Sequence, residues 1–334
     1  MAEKIIRVFP RRTKWTPTDE LAFVGDPPLI RPAHDIPVYI SVTFSWDVEE
    51  GKKLLRAWGG YYEQVYLGGP AFGLQHAPNY KPLSNSREDY EFVPGRFIKP
   101  GVTITSRGCP YRCSWCLVPE REGNIRELEI KDGYIVQDNN LLACSESHIE
   151  MVFEMLRRQK RGAVFAGGLD IKLLQRWHVE LLKSIRVNEI WVSYDSFFTN
   201  NDLSSAARLL KDFPTEKKRC YVLVGYNGEP IEKAELRLSR ALGFGFLPFA
   251  MWYRAPEDKK QKHLELEERA FLKKWCRPAA YRGKLKIEFV DGGVGFGGFL
   301  EDVIDASHAD VAMTGKLLQE RDWDAFAGKK GGEG

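Results

Sequence analysis

From Gly101 to Arg254 the chain alternates short apolar runs with amphipathic helical stretches, and this alternation constrains the fold more than any other feature. The apolar runs are Val102–Gly108, Gly133–Leu142, Gly162–Asp170, Glu189–Ser196, Cys220–Gly228 and Phe244–Arg254. Between them, apolar residues recur at helical spacing. Ile149, Val152, Phe153 and Leu156 form one face, with Ser147 and Glu150 spaced as a capping box. Leu173, Leu174, Trp177, Leu181 and Leu182 form the next. A third stretch runs through Leu209 and Leu210, and Pro230 opens a fourth that carries Ala234 and Leu238. Strands that are apolar along their whole length, each followed by a helix, predict a parallel sheet covered by helices. The fold class is α/β, with six strand–helix units.

Residues 1–100 read differently. The first 35 or so are rich in proline and charge without a sustained period, and predict an extended lead-in along the surface. A small α/β unit follows: a strand over Pro37–Asp47, a helix over Glu49–Trp58 with Leu54, Leu55 and Trp58 on one face, and a strand over Gln64–Pro70. Strand, helix and strand of this length predict a parallel right-handed crossover. Pro78–Pro100 is a polar linker. After Arg254 come a charged connection, a helix to about Trp275 and a last strand at Lys284–Val290. The glycine run Asp291–Gly298 lacks the full dinucleotide fingerprint and reads as a flexible turn. The expected domains are 1–100, 101–290 and 291–334.

The first apolar run leads into RGCPYRCSWCLVPE. Cys109, Cys113 and Cys116 stand in a C-x3-C-x2-C arrangement, with Trp115 before the last cysteine. Three thiolates this close on one loop can wrap a single soft metal centre. Zinc closed in a tetrahedron needs a fourth protein ligand. Cys144 and His148 form a C-x3-H pair that could complete Cys113 and Cys116, across a gap of 27 residues longer than usual finger spacings. An iron–sulfur cluster held by three cysteines instead leaves one iron open to a cofactor or substrate.

Spacing and context together resemble the radical S-adenosylmethionine (radical SAM) superfamily, where the open iron chelates the amino and carboxylate groups of the cofactor. The resemblance implies a partial (β/α)6 TIM-like barrel, a [4Fe-4S] cluster on Cys109, Cys113 and Cys116, and S-adenosyl-L-methionine (SAM) as cofactor. It also implies reductive cleavage of SAM to a 5′-deoxyadenosyl radical that takes hydrogen from an unidentified substrate. In a parallel barrel, functional residues sit at the C-terminal strand ends. Strand two ends in Gln137, Asp138, Asn139 and Asn140, and strand order favours Asp138 and Asn139 for the SAM ammonium. A literal Gly167-Gly168-Leu169-Asp170 on strand three makes Asp170 the second candidate, which a helix N-cap role would equally explain. Ser193, Asp195 and Ser196 end strand four, where the family holds the ribose. Gly225 lies in the Val224–Glu229 turn, which resembles the family's adenine-contacting V-G-x-x-G-E. Arg254, ending strand six, is placed for a carboxylate or phosphate, or for a salt bridge at the rim.

The unit before the barrel resembles a remnant of the Rossmann-like domain of cobalamin-binding radical SAM enzymes and methylthiotransferases. The D-x-H-x-x-G cobalamin motif is absent, so cobalamin is not expected. A methylthiotransferase-like enzyme acting on RNA or protein is weakened by the lack of a second three-cysteine motif. The rival from another class is a zinc-stabilised nucleic-acid-binding module.

Composition adds limits. A net charge of +3, from 49 basic and 46 acidic residues, gives no overall argument for nucleic acid or membrane. Six cysteines in 334 residues do not make a disulfide scaffold, and Cys144, Cys220 and Cys276 read as buried thiols. Free thiols and an oxygen-sensitive cluster predict a cytoplasmic setting with a reductant such as flavodoxin or ferredoxin. No apolar run approaches 18 residues, so no membrane partner is expected. The substrate stays open between small molecule, peptide and RNA. His34, His76, His178 and His263 have no partner spacing.

Overall fold

The structure, a computed structural model, describes residues 4–72, 96–195, 200–255, 265–276, 278, 288–290 and 293–295. Met1–Pro278 forms one compact unit and Ala279–Gly334 a second. The architecture is mixed α/β with parallel sheets.

The N-terminal part of the first unit is a four-stranded parallel sheet. Its strands are β1 (Ile6–Phe9), β2 (Ala22–Val24), β3 (Val38–Ser41) and β4 (Val65–Gly68), in the order β2-β1-β3-β4. The helix α1 (Val48–Gly59) joins β3 to β4, as the sequence leads one to expect. The lead-in is not a surface strap. It supplies β1 and β2, and β1 pairs with a strand on each side. The run Ile5–Phe9 is too short to show a period between charged and proline neighbours, yet Ile6 and Val8 are fully buried. They pack with Ile40, Leu54, Trp58 and Leu67 in one core. Gly51 lets α1 approach closely, because a Cβ there would lie 2.6 Å from the Val42 side chain. On the opposite face Ile5 and Phe9 meet Phe97.

The larger sheet has six strands, in the order β12-β11-β10-β9-β8-β5. They are β5 (Val102–Thr103), β8 (Ile135–Val136), β9 (Ala163–Leu169), β10 (Val187–Ser193), β11 (Lys218–Val224) and β12 (Leu247–Trp252). All pairs are parallel and neighbours follow in chain order. Between β5 and β8 lies an excursion that carries the cysteines. It opens with β6 (Ser106–Arg107), passes through a turn of helix α2 (Val118–Arg121) and closes with β7 (Arg126–Glu127), antiparallel to β6. The helices α3 (Glu146–Arg158), α4 (Arg176–Lys183), α5 (Asn200–Leu209) and α6 (Ile231–Gly243) follow β8, β9, β10 and β11, and α7 (Leu266–Trp275) follows β12.

Strand boundaries shrink relative to the sequence reading. β8 is two residues long rather than ten, because a side chain takes over the ladder beyond it: the Thr105 backbone N–H donates to Asp138 at 2.7 Å. The cap of α3 is Ser145, not Ser147, and accepts from the His148 N–H at 3.2 Å. The cap of α4 is Gln175, so Asp170 does not cap it. Gln175 shares a capping box with His178.

The strands alternate in burial. Cys220, Val222 and Val224 are fully buried. Tyr221 and Leu223, on the other face of β11, are only partly so. There Trp191 stacks on Tyr221, ring centroids 4.2 Å apart, and Phe249 meets both edge-on. The Tyr221 hydroxyl donates to the Ala166 carbonyl at 3.1 Å, and burial pushes its pKa up to about 12.

In the second unit β13 (Glu288–Val290) and β14 (Gly293–Gly295) pair as an antiparallel hairpin. Part of the glycine run is therefore strand. No helix among the described residues is long and apolar enough to cross a membrane.

Candidate metal centre

Parallel strands in chain order place every strand-to-helix connection of the larger sheet at one edge, and the cysteine loop lies over that edge. Gly108 makes the loop possible. Its φ is +89°, and a Cβ there would stand 2.0 Å from the Asn124 carbonyl oxygen. The Cys109 N–H closes the loop base on the Gly123 carbonyl, and the Cys116 N–H turns back to Cys113 at 3.0 Å. Arg107 donates to the Gln137 carbonyl at 2.8 Å, and Asn139 accepts the Gly108 N–H at 3.0 Å. Gln137 and Asn139 therefore hold the loop to the end of β8.

The three thiols are partly exposed and free. Burial raises the Cys113 and Cys116 pKa values, and the neighbouring cysteines raise them further. Two N–H groups point at sulfur: Val118 N at 3.5 Å from Cys116 Sγ, and Asn140 Nδ2 at 3.6 Å from Cys109 Sγ. Among the described residues no three His, Cys, Asp or Glu side chains stand together as a preassembled metal site. The donor set fits a soft cluster with an open position: three thiols on one loop, N–H groups aimed at sulfur, and no fourth thiol beside them. Cys144 borders Ser106 and Asp138, with its thiol pushed up to about 11 mainly by burial. His148 is buried, 3.8 Å from Glu127. The zinc quartet of the sequence reading is not assembled among the described residues.

Asp138 is 2% exposed, and its carboxylate accepts from the Thr105 N–H, the Thr105 hydroxyl and the Ser106 hydroxyl at 2.5–2.9 Å. It is turned inward, toward the root of the cysteine loop. Asp170 is partly open. Its oxygens accept from the Lys172 N–H and from Asn140 Nδ2, both at 3.0 Å. Tyr111 of the cysteine loop also bonds it, which helps raise the tyrosine pKa after burial has done so. Gly167 is needed here because a Cβ would lie 2.1 Å from the Asp138 carbonyl oxygen.

Asp195 follows β10 and accepts the Leu223 N–H at 3.0 Å. Burial raises its carboxyl pKa, and its charge is felt by Cys113 and Cys116. Ser193 is exposed at the same strand end. Ser196 lies outside the described residues. Gly225 has φ +79° and packs against Trp252, 3.0 Å from a built Cβ. Its turn is rigid: Asn227 and Gly228 also take left-handed backbone, and Glu229 pairs with buried Arg237. Tyr226 in that turn meets Trp115 of the cysteine loop at 5.5 Å and Tyr253 at 4.9 Å. Arg254 lies over the Trp46 ring at 4.9 Å, a cation–π contact rather than a rim salt bridge.

Sequence reasoning missed Asn140 as a site residue. It is 4% exposed and joins Cys109 to Asp170, with its Oδ1 unpartnered. The available signal was its place in the polar string after an apolar run. No protein-family model matches the chain, and no curated protein matches it.

Proposed function

We propose that the chain is a radical SAM enzyme on a partial (β/α)6 barrel. The observation that carries this reading is the seat of the cysteine loop, over the C-terminal edge of six parallel strands in chain order. Two contacts support a curled sheet. In a flat sheet the first and fifth strands lie roughly 19 Å apart, at about 4.8 Å per strand, yet Trp115 after β5 and β6 touches Tyr226 after β11. At the far edge, Arg254 after β12 reaches Trp46 in the helical turn after β3, and the N-terminal sheet shares a cavity with Val102 of β5.

Cys109, Cys113 and Cys116 would hold a four-iron cluster, which would supply the electron for reductive cleavage of SAM to methionine and a 5′-deoxyadenosyl radical. The residues around it bind, orient and exclude water. Asn140 steadies Cys109 and Asp170 together. Asp170, the more open of the two carboxylates at the ends of β8 and β9, takes the SAM ammonium. Asp195 and Ser193 take the ribose hydroxyls, and the rigid turn at Gly225 receives the adenine. The stacked layer of Trp191, Tyr221 and Phe249 forms the floor of the barrel, where a substrate would be held in near-attack geometry. The reductant is a flavodoxin or ferredoxin type, and the substrate is a small molecule, peptide or RNA.

Anaerobic purification followed by iron, sulfide and SAM-cleavage assays tests the reading. The expected protein is brown, with four irons and four sulfides per chain, and releases 5′-deoxyadenosine when reduced. Cys113→Ala loses the cluster, whereas serine at Cys144, Cys220 or Cys276 leaves iron content unchanged. A colourless protein carrying one zinc would sink the proposal.

A further inference from the structure

The N-terminal sheet carries a second feature, independent of iron. The chain leaves β1 toward β2 on one side and leaves β3 toward α1 and β4 on the other. β1 and β3 are neighbours, so their connections diverge at their C-terminal ends. In open parallel α/β sheets such a divergence opens a crevice in which ligands bind. A cavity of about 220 Å³ lies at this point. Pro10 and Arg11, just after β1, line it together with Thr43 and Phe44, just after β3.

The walls define the ligand. Phe9, Trp15, Phe44 and Phe97 supply aromatic surface. The charges in the wall are already paired. Arg11 bonds Asp47, and Arg107 stands 3.9 Å from Glu122 while donating to the Gln137 carbonyl. Each charged residue of the wall already has a partner, which disfavours an ion as the ligand. Ser41, Thr43 and Gln137, also in the wall, carry both donor and acceptor groups. The volume falls below the roughly 300–1,000 Å³ typical of drug-sized ligands, too small for a dinucleotide or a corrinoid.

We propose that this cavity binds a neutral nucleobase or nucleoside, its ring against the aromatic walls and its hydrogen-bonding edge toward Ser41, Thr43 and Gln137. The site shares Arg107 and Gln137 with the root of the cysteine loop, and none of the residues proposed above for SAM.

The test is calorimetric titration of the full chain, without iron, using the free bases adenine, cytosine and uracil and the four common ribonucleosides. At least one is expected to bind with Kd near or below about 100 μM. Comparing base with nucleoside shows whether the sugar contributes. Thr43→Trp fills the exposed rim and Phe44→Ala removes a wall. Each is expected to weaken binding about tenfold or more, with Thr43→Trp melting as the wild type does. Absence of binding across the panel at about 1 mM, or affinity unchanged in both variants, overturns the inference. So does a nucleoside displaced by excess SAM or lost in Asp195→Ala, since it would be sitting in the barrel mouth. No iron is needed, so failure of the cluster reading leaves this result standing.

Discussion

A carboxylate offers about four lone-pair sites, and the way they are filled separates Asp138 from Asp170. Asp138 spends three on buried Thr105 and Ser106 groups. Replacing it by alanine strands those donors, so Asp138→Ala is expected to cost about 3 kcal/mol of stability. Asp170 accepts as many bonds but stays partly open, and its bonds tie a turn and the cysteine loop rather than a buried core. Asp170→Ala should change stability by about 1 kcal/mol or less, and weaken SAM binding to the reconstituted protein by about 1.5–3 kcal/mol. Melting curves and SAM titrations on both variants check this, and the opposite pattern would hand the ammonium to Asp138. Strand order pointed to Asp138 because sequence gives the order of strand ends but not the direction of a side chain. His178 makes a pH prediction. Burial lowers its pKa to about 4, below the ordinary 6.5, and its Nδ1 accepts the Gln175 N–H at 3.0 Å. A depressed histidine pKa means the unfolded chain binds more protons between those values. Stability should therefore fall as pH drops from about 6.5 to 4, by at most about 3 kcal/mol. His178→Gln keeps an acceptor at the cap and should flatten this part of the stability profile. A profile of unchanged slope in that variant would remove His178 from the account.

At the scale of elements, the cysteine loop depends on its first glycine. Alanine at Gly108 would have to hold φ +89°, costing about 1–2 kcal/mol, and its Cβ would meet the Asn124 carbonyl oxygen at 2.0 Å. Gly108→Ala is therefore expected to lose most of its iron after reconstitution, although all three cysteines remain. An iron content equal to wild type would show that the loop base can move without cost. The long strands were legible because a parallel strand buried between layers is apolar along its length. β9 to β12 lie inside the runs read from sequence, apart from a residue or two at the starts of β10 and β11. β5 and β8 were legible in place but not in length, since Asp138 replaces the backbone ladder and no periodicity reports that. β1 and β2 were not legible at all. Strands of four and three residues beside prolines and arginines carry too few apolar positions to show alternation. The cysteine spacing marked the candidate site, whereas Asn140, one more polar residue after β8, gave no sign that it links Cys109 to Asp170.

At the scale of the molecule, the N-terminal sheet is built against the larger one. The Arg7 guanidinium donates to the Arg96 carbonyl at 3.1 Å, and the Lys99 N–H reaches Trp15. Phe97 packs on Ile5 and Phe9, and β5, which begins at Val102, lines the same cavity. Arg254 closes on Trp46 from the last strand. The two sheets therefore share one compact unit, and a perturbation deep in the smaller one should be felt at the cysteine loop. Trp58 is the place to apply it. Its ring is fully buried among the strands of the N-terminal sheet, and its Nε1 donates to the Gly25 carbonyl at 3.1 Å. Trp58→Ala opens a cavity there and is expected to cost about 3–5 kcal/mol. If the sheets melt cooperatively, circular dichroism and the visible absorbance of the reconstituted cluster should lose their signal in one transition. That transition should move down together in the variant, by roughly 5–10 °C for a unit of this size. Absorbance that held at the wild-type temperature while the dichroism gained an early step would show that the N-terminal sheet folds on its own and that the seam at Trp46 and Val102 carries little energy.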